Sequence, residues 1–358
     1  MKLTLDALID RALELEAIEE NDKREYIGAS WIGDTCDRKL WMSYRWAIAQ
    51  PFIGRILKRF LTGHHYEARV IAYLKKVGFE VHHINPRAKN EKKQYRAEWN
   101  GGVVSGGLDG FLRGKPADKY LKAGDNFSDL VFDRWTGVEI KGMVSAKYEY
   151  PKVVLPGDDK WLPIGNRREK EARKKTLVRM EGRYWKTKRL GVEKAQIQHF
   201  AQMHTYMGLS RERISAKDQR FHYEAWGLDA PLDQFLYIIA NTDTDQLHYE
   251  IVEYRPAWYR RVKQRAMQIV KATVPPERIS DNPLFWECEI CDYRNICHGD
   301  QPMAPTCRSC QYAEIKVPGD RGYYGARVQW LCTEHGSGCG DYTACSDYNA
   351  IEDELVSF

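Results

Sequence analysis

The sequence has no apolar run approaching the ~20 residues that a membrane-spanning helix needs. It also lacks an early apolar segment, because Met1-Lys2-Leu3-Thr4-Leu5-Asp6 brings an acid into the sixth position. No secretory signal and no membrane association are therefore expected, and a cytoplasmic setting is. Repeats and low-complexity tracts are absent, which excludes solenoid, collagen-like and disordered chains. Disulfides are not expected in that compartment. The nine cysteines are an odd number, so they cannot all pair within one chain. What remains is a chain of 358 residues, 43% hydrophobic and 29% charged, long enough for one large domain or two ordinary ones.

The cysteines are unevenly placed. Cys36 stands alone, and the other eight lie between Cys288 and Cys345. Metal binding is the first expectation for such a pattern. Charge is uneven too. The net +5 combines a net −5 over residues 300–358 with +10 over the rest. Lys160 to Arg189 holds 12 basic residues against Glu169, Glu171 and Glu181, together with Trp161, Tyr184 and Trp185. Cations interleaved with aromatics suit a nucleic-acid backbone and its bases, so this stretch is a candidate DNA- or RNA-binding insertion.

Hydrophobic periodicity predicts helices over 3–20, from Asp34 or Thr35 as cap to about Trp46, over 56–76 and from Val192 to Met207 ending at Gly208. A further helix opens at Pro256 and runs to about Lys271. Strand-like runs fall at 79–83, 94–99, 103–112, 130–132, 137–141, 223–227, 235–240 and 247–254. This order lacks the regular alternation of a doubly wound sheet. It predicts an α/β fold with a central mixed β-sheet flanked by helices.

Asp109 ends one strand-like run, and Glu139-Ile140-Lys141 lies within another. Side chains alternate along a strand, so Glu139 and Lys141 share a face, and Asp109 can bring a second carboxylate there. Two carboxylates suit Mg²⁺ or Mn²⁺, and a nearby lysine can orient or deprotonate water for phosphodiester hydrolysis. Gly63-His64-His65-Tyr66-Glu67 offers a third acid on the preceding helix. Gln202 and Tyr206 stand four apart on one face of a later helix.

The ordered set Gly63-x₃-Glu67, Asp109, Glu139-x-Lys141 and Gln202-x₃-Tyr206 resembles the PD-(D/E)XK nuclease superfamily, in its RecB-like branch, which also includes the CRISPR-associated RecB-like nucleases and phage exonucleases. The resemblance implies a restriction-endonuclease-like core. It implies that Asp109 and Glu139, with Glu67, hold Mg²⁺ or Mn²⁺, that Lys141 handles the attacking water, and that Gln202 and Tyr206 contact DNA. The place of Glu67 is often histidine in this branch, which leaves His64 or His65 as substitutes. The long gap between Asp109 and Glu139 reads as an insertion from Arg113 to Asp129, with Asp129 and Asp133 as lesser candidate ligands.

Cys288-x₂-Cys291-x₅-Cys297 offers thiolates to one metal at low loop-closure cost. One early and three late cysteines resemble the iron–sulfur members of the same branch, which implies that Cys36, Cys288, Cys291 and Cys297 hold a [4Fe–4S] cluster of structural role. Zinc on the same four is the alternative. Cys307-x₂-Cys310 followed by Cys332 resembles a zinc knuckle, with Cys345 chosen as fourth ligand and Cys339 or His335 as alternatives. The expected organisation is a nuclease domain over 1–299, with a basic insertion at about 158–190, and a small acidic zinc-binding module over 300–358. That module is expected to dock a protein partner or brace the core. The expected activity is a metal-dependent DNA exonuclease of recombination, repair or phage DNA processing, acting in the host cytoplasm if phage-encoded. The alternatives are a structure-specific endonuclease and a non-catalytic DNA-binding adaptor.

Overall fold

A computed structural model describes residues 4–19, 24–48, 53–86, 88, 94–144, 148–151, 177–180, 183–215, 218–320, 326–339 and 344–351. The helices are α1 (Leu5–Glu19), α2 (Asp37–Tyr44), α3 (Gly54–Val77), α4 (Arg183–Leu190), α5 (Val192–Ala195), α6 (Ile197–Ser210), α7 (His222–Ala225), α8 (Pro256–Lys271), α9 (Trp286–Glu289) and α10 (Arg294–His298). The strands are β1 (Ile27–Gly28), β2 (Glu80–His82), β3 (Tyr95–Trp99), β4 (Val104–Leu108), β5 (Gly110–Gly114), β6 (Phe132–Met143), β7 (Tyr148–Pro151), β8 (Leu177–Met180), β9 (Gln234–Asn241), β10 (Leu247–Glu253), β11 (Ala313–Lys316), β12 (Gln329–Cys332) and β13 (Ser337–Gly338).

A five-stranded sheet in the order β10-β9-β6-β5-β2 forms the centre. β6 and β9 pair in parallel and the other neighbours are antiparallel, so the sheet is mixed. Both faces are covered, which is why β9 reads as an almost unbroken apolar run. On one face Leu112, Val138, Ile140, Leu236 and Ile238 pack with Val70 and Ile71 of α3. On the other, Phe111, Phe235, Tyr237 and Ile239 share a core with Phe200, Met203, Tyr206 and Met207 of α6. Among the described residues no helix is long and apolar enough to cross a membrane.

Several elements differ from the sequence expectation. The run over 103–112 is two strands in two sheets, because β4 pairs with β1 and β3 while β5 enters the central sheet. The break falls at Asp109, and Gly110 follows it at φ 155°. A Cβ there would stand 2.7 Å from the His82 carbonyl oxygen, so only glycine fits. β6 extends far beyond 137–141, and its first residues include exposed Asp133 and Arg134, which hide the apolar alternation. Gly208 does not end α6. It lies inside the helix, where the Tyr259 ring of α8 fills the space a side chain would take. Residues 223–227 are not a strand but contain most of α7. α2 is capped by the Cys36 thiol, which accepts from the Lys39 amide at 3.4 Å, rather than by Asp34 or Thr35.

The antiparallel sheet β11-β12-β13 builds the C-terminal segment. Trp330, Val317, Cys339 and Ile351 belong to the same buried cluster as Tyr44 and Trp41. Arg308 is 3% exposed. Its guanidinium lies 3.8 Å from the Trp46 ring centre, 5.1 Å from that of Trp330 and 5.5 Å from that of Tyr44. Arg45 donates to the Arg308 carbonyl at 2.9 Å and to the Ala272 carbonyl at 3.0 Å. Burial lowers the Arg45 pKa to about 10, so its guanidinium stays charged at neutral pH; among the described residues it has no carboxylate partner and rests on carbonyls and aromatic faces. Most of the basic stretch over 160–189 lies outside the described residues, and so does any helical end beyond residue 351.

Candidate active site and cysteine clusters

β6 places Glu139 and Lys141 on the face covered by α6, and the Lys141 ammonium pairs with Glu139 Oε1. Glu139 is fully buried, and its Oε2 has no hydrogen-bond partner among the described residues. The strand break after β4 swings Asp109 beside this pair, where its Oδ2 accepts from the Ile140 amide at 2.8 Å. Burial pushes the Glu139 carboxyl up to about 8, and the negative charges of Asp109 and Glu67 add to the effect against the attraction of Lys141. Burial raises Asp109 as well, opposed by Lys141, the Ile140 amide and His64. For Lys141, burial disfavours the ammonium, but Glu139, Asp109 and Glu67 outweigh it and raise its pKa. The site is thus three carboxylates converging on one lysine. α3 supplies Glu67, whose charge is felt at Glu139 and Lys141, and His64, whose charge is felt at Asp109.

An excess of buried carboxylate is costly without a cation to balance it. The orphaned Glu139 Oε2 and the raised carboxyls fit a divalent metal held by hard oxygen ligands. Asp129 and Asp133 are less well placed. Asp129 sits in a turn by Ser128, and Asp133 is six residues from Glu139, roughly 20 Å along the strand.

Gln202 and Tyr206 are 4% and 1% exposed. The Gln202 amide donates to the Tyr206 hydroxyl at 3.3 Å, and that hydroxyl donates to the Gly107 carbonyl at 2.6 Å. The resemblance implies DNA contact for both; here the Tyr206 hydroxyl holds the strand that delivers Asp109, the Gln202 amide nitrogen holds Tyr206, and Gln202 Oε1 has no hydrogen-bond partner among the described residues. Burial first, and then the charge of Glu139, raise the Tyr206 pKa, so the phenol stays neutral. A Cβ at Gly106 would fall 2.5 Å from the Tyr206 hydroxyl. Gly106→Ala is therefore expected to cost about 1–3 kcal/mol through overpacking, read as a lower thermal midpoint.

Sequence reasoning missed two neighbours of this site. Tyr237 of β9 stands opposite Glu139 in the parallel register, and its hydroxyl lies 2.7 Å from His199 Nδ1. Burial, with Lys141 and Arg183 nearby, holds His199 well below its usual pKa, as a neutral imidazole. The signal was present: His199, Gln202 and Tyr206 fall on one helix face at i, i+3 and i+7.

Cys36, Cys288, Cys291 and Cys297 come together across the chain. Burial raises the pKa of Cys288 and Cys297, that of Cys291 reaches about 11, and each of the three also feels the charge of Cys36. α2 is tied to the same region, with Arg38 donating to Pro276 O at 2.6 Å, Trp41 to Ala272 O at 2.9 Å and Thr35 to Glu287 at 2.5 Å. None of the nine cysteines is in a disulfide. In the C-terminal segment one cavity is lined by Cys307, Cys310, Cys332, Cys339 and Cys345, with Ala313, Ala344 and Tyr348. Cys339 is 3% exposed, and burial raises its pKa, reinforced by a thiol hydrogen bond to Cys307 and by the charges of Cys307, Cys332 and Cys310. Cys345, the fourth ligand expected from sequence, is instead exposed and lies 3.6 Å from His335 Nε2.

Residues 181–298 match the family model described as the PD-(D/E)XK nuclease superfamily, which supports a domain of that superfamily here. The matched span holds Gln202, Tyr206, Cys288, Cys291 and Cys297, while Asp109, Glu139 and Lys141 precede it. No curated protein matches the chain. A solved structure titled "Crystal structure of SSO0001" aligns at 12% identity and a TM-score of 0.34, covering 81% of this chain and 96% of that one.

Proposed function

We propose, with a PD-(D/E)XK nuclease domain as premise, that this chain is a metal-dependent DNA exonuclease centred on Asp109, Glu139 and Lys141. Nucleases of this superfamily act on DNA and use divalent metals, typically Mg²⁺ or Mn²⁺. The observation that carries the reading is the buried Glu139 Oε2, without a hydrogen-bond partner among the described residues, beside Asp109 and Lys141. Asp109, Glu139 and Glu67 would hold the cation, which supplies Lewis-acid stabilisation of phosphate charge. Lys141, kept protonated by three carboxylates, acts as a fixed positive donor that orients water and meets developing negative charge, rather than as a base. Gln202 and Tyr206 hold the β4 strand and so the position of Asp109. The basic stretch over 160–189 supplies backbone charge for the bound strand.

The test is cleavage of end-labelled linear DNA with Mn²⁺, beside a closed circular substrate. Release of nucleotides from linear DNA alone supports an exonuclease. Cutting of the circle points to the endonuclease reading, and DNA retention without cleavage under either metal points to an adaptor.

The four-thiol group of Cys36, Cys288, Cys291 and Cys297 fits a [4Fe–4S] cluster, which would clamp α2 to the segment after α8. The C-terminal thiols fit a structural Zn²⁺, with Cys339 rather than Cys345 completing Cys307, Cys310 and Cys332, because these four line one cavity and are buried or half-buried, whereas Cys345 is exposed at its edge. Cys36→Ser is expected to abolish bound iron and the broad absorption near 400 nm in anaerobically prepared protein. Zinc without iron in the parent protein would refute the cluster.

A further inference from the structure

The tetrathiol set leaves Cys345 over, and the fold does not leave it isolated. Its Sγ lies 3.6 Å from His335 Nε2, and the same nitrogen lies 3.1 Å from Asp347 Oδ2. The three side-chain atoms all fall within 4.8 Å of one another. One ring nitrogen carries either one proton or one lone pair, so an ordinary two-centre hydrogen bond satisfies only one of the two neighbours. The arrangement is also not a nucleophile triad, in which the carboxylate and the thiol would engage opposite nitrogens of the ring.

A cation resolves this geometry. Sulfur at about 2.3 Å and nitrogen at about 2.05 Å from one tetrahedral ion stand about 3.6 Å apart. The corresponding nitrogen–oxygen separation is about 3.4 Å, only slightly longer than the one observed. The donor set is one imidazole, one thiolate and one carboxylate, which matches Zn²⁺ better than the all-oxygen preference of Mg²⁺. All three side chains are exposed, so a fourth position faces solvent.

We propose that His335, Cys345 and Asp347 form a second zinc site in the C-terminal segment, open to solvent and adjacent to the closed tetrathiolate one. The inference rests on Cys339 closing that first site. It adds an ion with an exchangeable position, where the tetrathiolate zinc has none.

The test compares zinc content of the full chain and of His335→Ala, after loading with Zn²⁺ and removal of free metal by gel filtration. The absolute zinc count of each protein is the readout, with iron measured alongside to assign the first four-cysteine group, so a fall from two C-terminal zinc ions to one is told from a fall from one to none. His335→Ala is expected to hold about one zinc fewer per chain, with an unchanged circular dichroism spectrum. Asp347→Ala, which leaves every thiol in place, is expected to lose the same ion. The rapidly chelated fraction of zinc in the parent is expected to vanish in both variants. Equal zinc in parent and His335→Ala would overturn the proposal. So would complete loss of zinc from the C-terminal segment in His335→Ala, since that would place His335 in a single shared site and remove Cys339 as the closing ligand.

Discussion

Glu139→Gln is expected to reduce DNA cleavage by at least about 10³-fold, the scale of losing a central electrostatic group in a phosphoryl-transfer site. The same change is expected to leave the metal-free protein more stable at alkaline pH. The two outcomes pull apart because Glu139 is held near a pKa of about 8 even with the attraction of Lys141 included. A carboxyl whose pKa is higher in the fold than in the unfolded chain favours folding in its protonated form. That contribution is fully present below the ordinary glutamate range and is lost as pH rises toward about 8. The neutral glutamine carries no such penalty. In chelator at pH 9 the variant is thus expected to melt above the parent, while near pH 5 the two differ little. Added Mn²⁺ is expected to raise the midpoint of the parent but not of the variant, with metal binding strengthening from pH 6 to 8 as the carboxyls ionise. An inactive variant that also melted lower at pH 9 would show a structural role for Glu139 instead.

Removing residues 300–358 is expected to yield no soluble folded protein, rather than a free-standing nuclease domain. Trp41, Tyr44, Trp330, Val317 and Ile351 share one buried cluster, so the cut would expose aromatic surface on the nuclease side. A point version isolates the contact. Arg308→Ala removes a buried cation that touches three aromatic rings, opens a cavity, and strips partners from the Glu25 and Tyr44 carbonyls. A loss of about 2–4 kcal/mol follows, measured by urea denaturation. Arg308→Met, which keeps the volume and removes the charge, is expected to cost less, because a buried cation carries its own desolvation penalty. An Arg308→Ala protein as stable as the parent, or a well-behaved truncated chain, would show that the C-terminal segment is merely appended.

Much of this was legible in the residues, for identifiable reasons. α8 runs from Pro256 to Lys271 as expected, because proline at its first position sets the start. α3 ends at Gly78 in the left-handed conformation that glycine permits. Glu139 and Lys141 share a face because strand alternation is a local property. Tertiary contacts decided the rest. Gly208 looked like a helix stop, but the Tyr259 ring needs that gap. The strand break at Asp109 follows from which sheet each half joins, and spacing carries no record of that. Spacing also does not say which of Cys339 and Cys345 turns inward. The β12–β13 hairpin does, with the Cys339 amide donating to the Trp330 carbonyl at 2.8 Å.

α2 has a consequence for how the chain is born. Its side chains are anchored at Ala272, Pro276, Glu287 and Arg308 through Trp41, Arg38, Thr35 of its leading loop and Arg45 just beyond its end. Each anchor lies more than about 225 residues downstream, which at roughly 5–20 residues per second means a wait of roughly 11–45 s on the ribosome. Throughout that interval the helix lacks these four anchors. The docking of this short, aromatic segment is therefore a late event in synthesis, set by the emergence of residues 272–308.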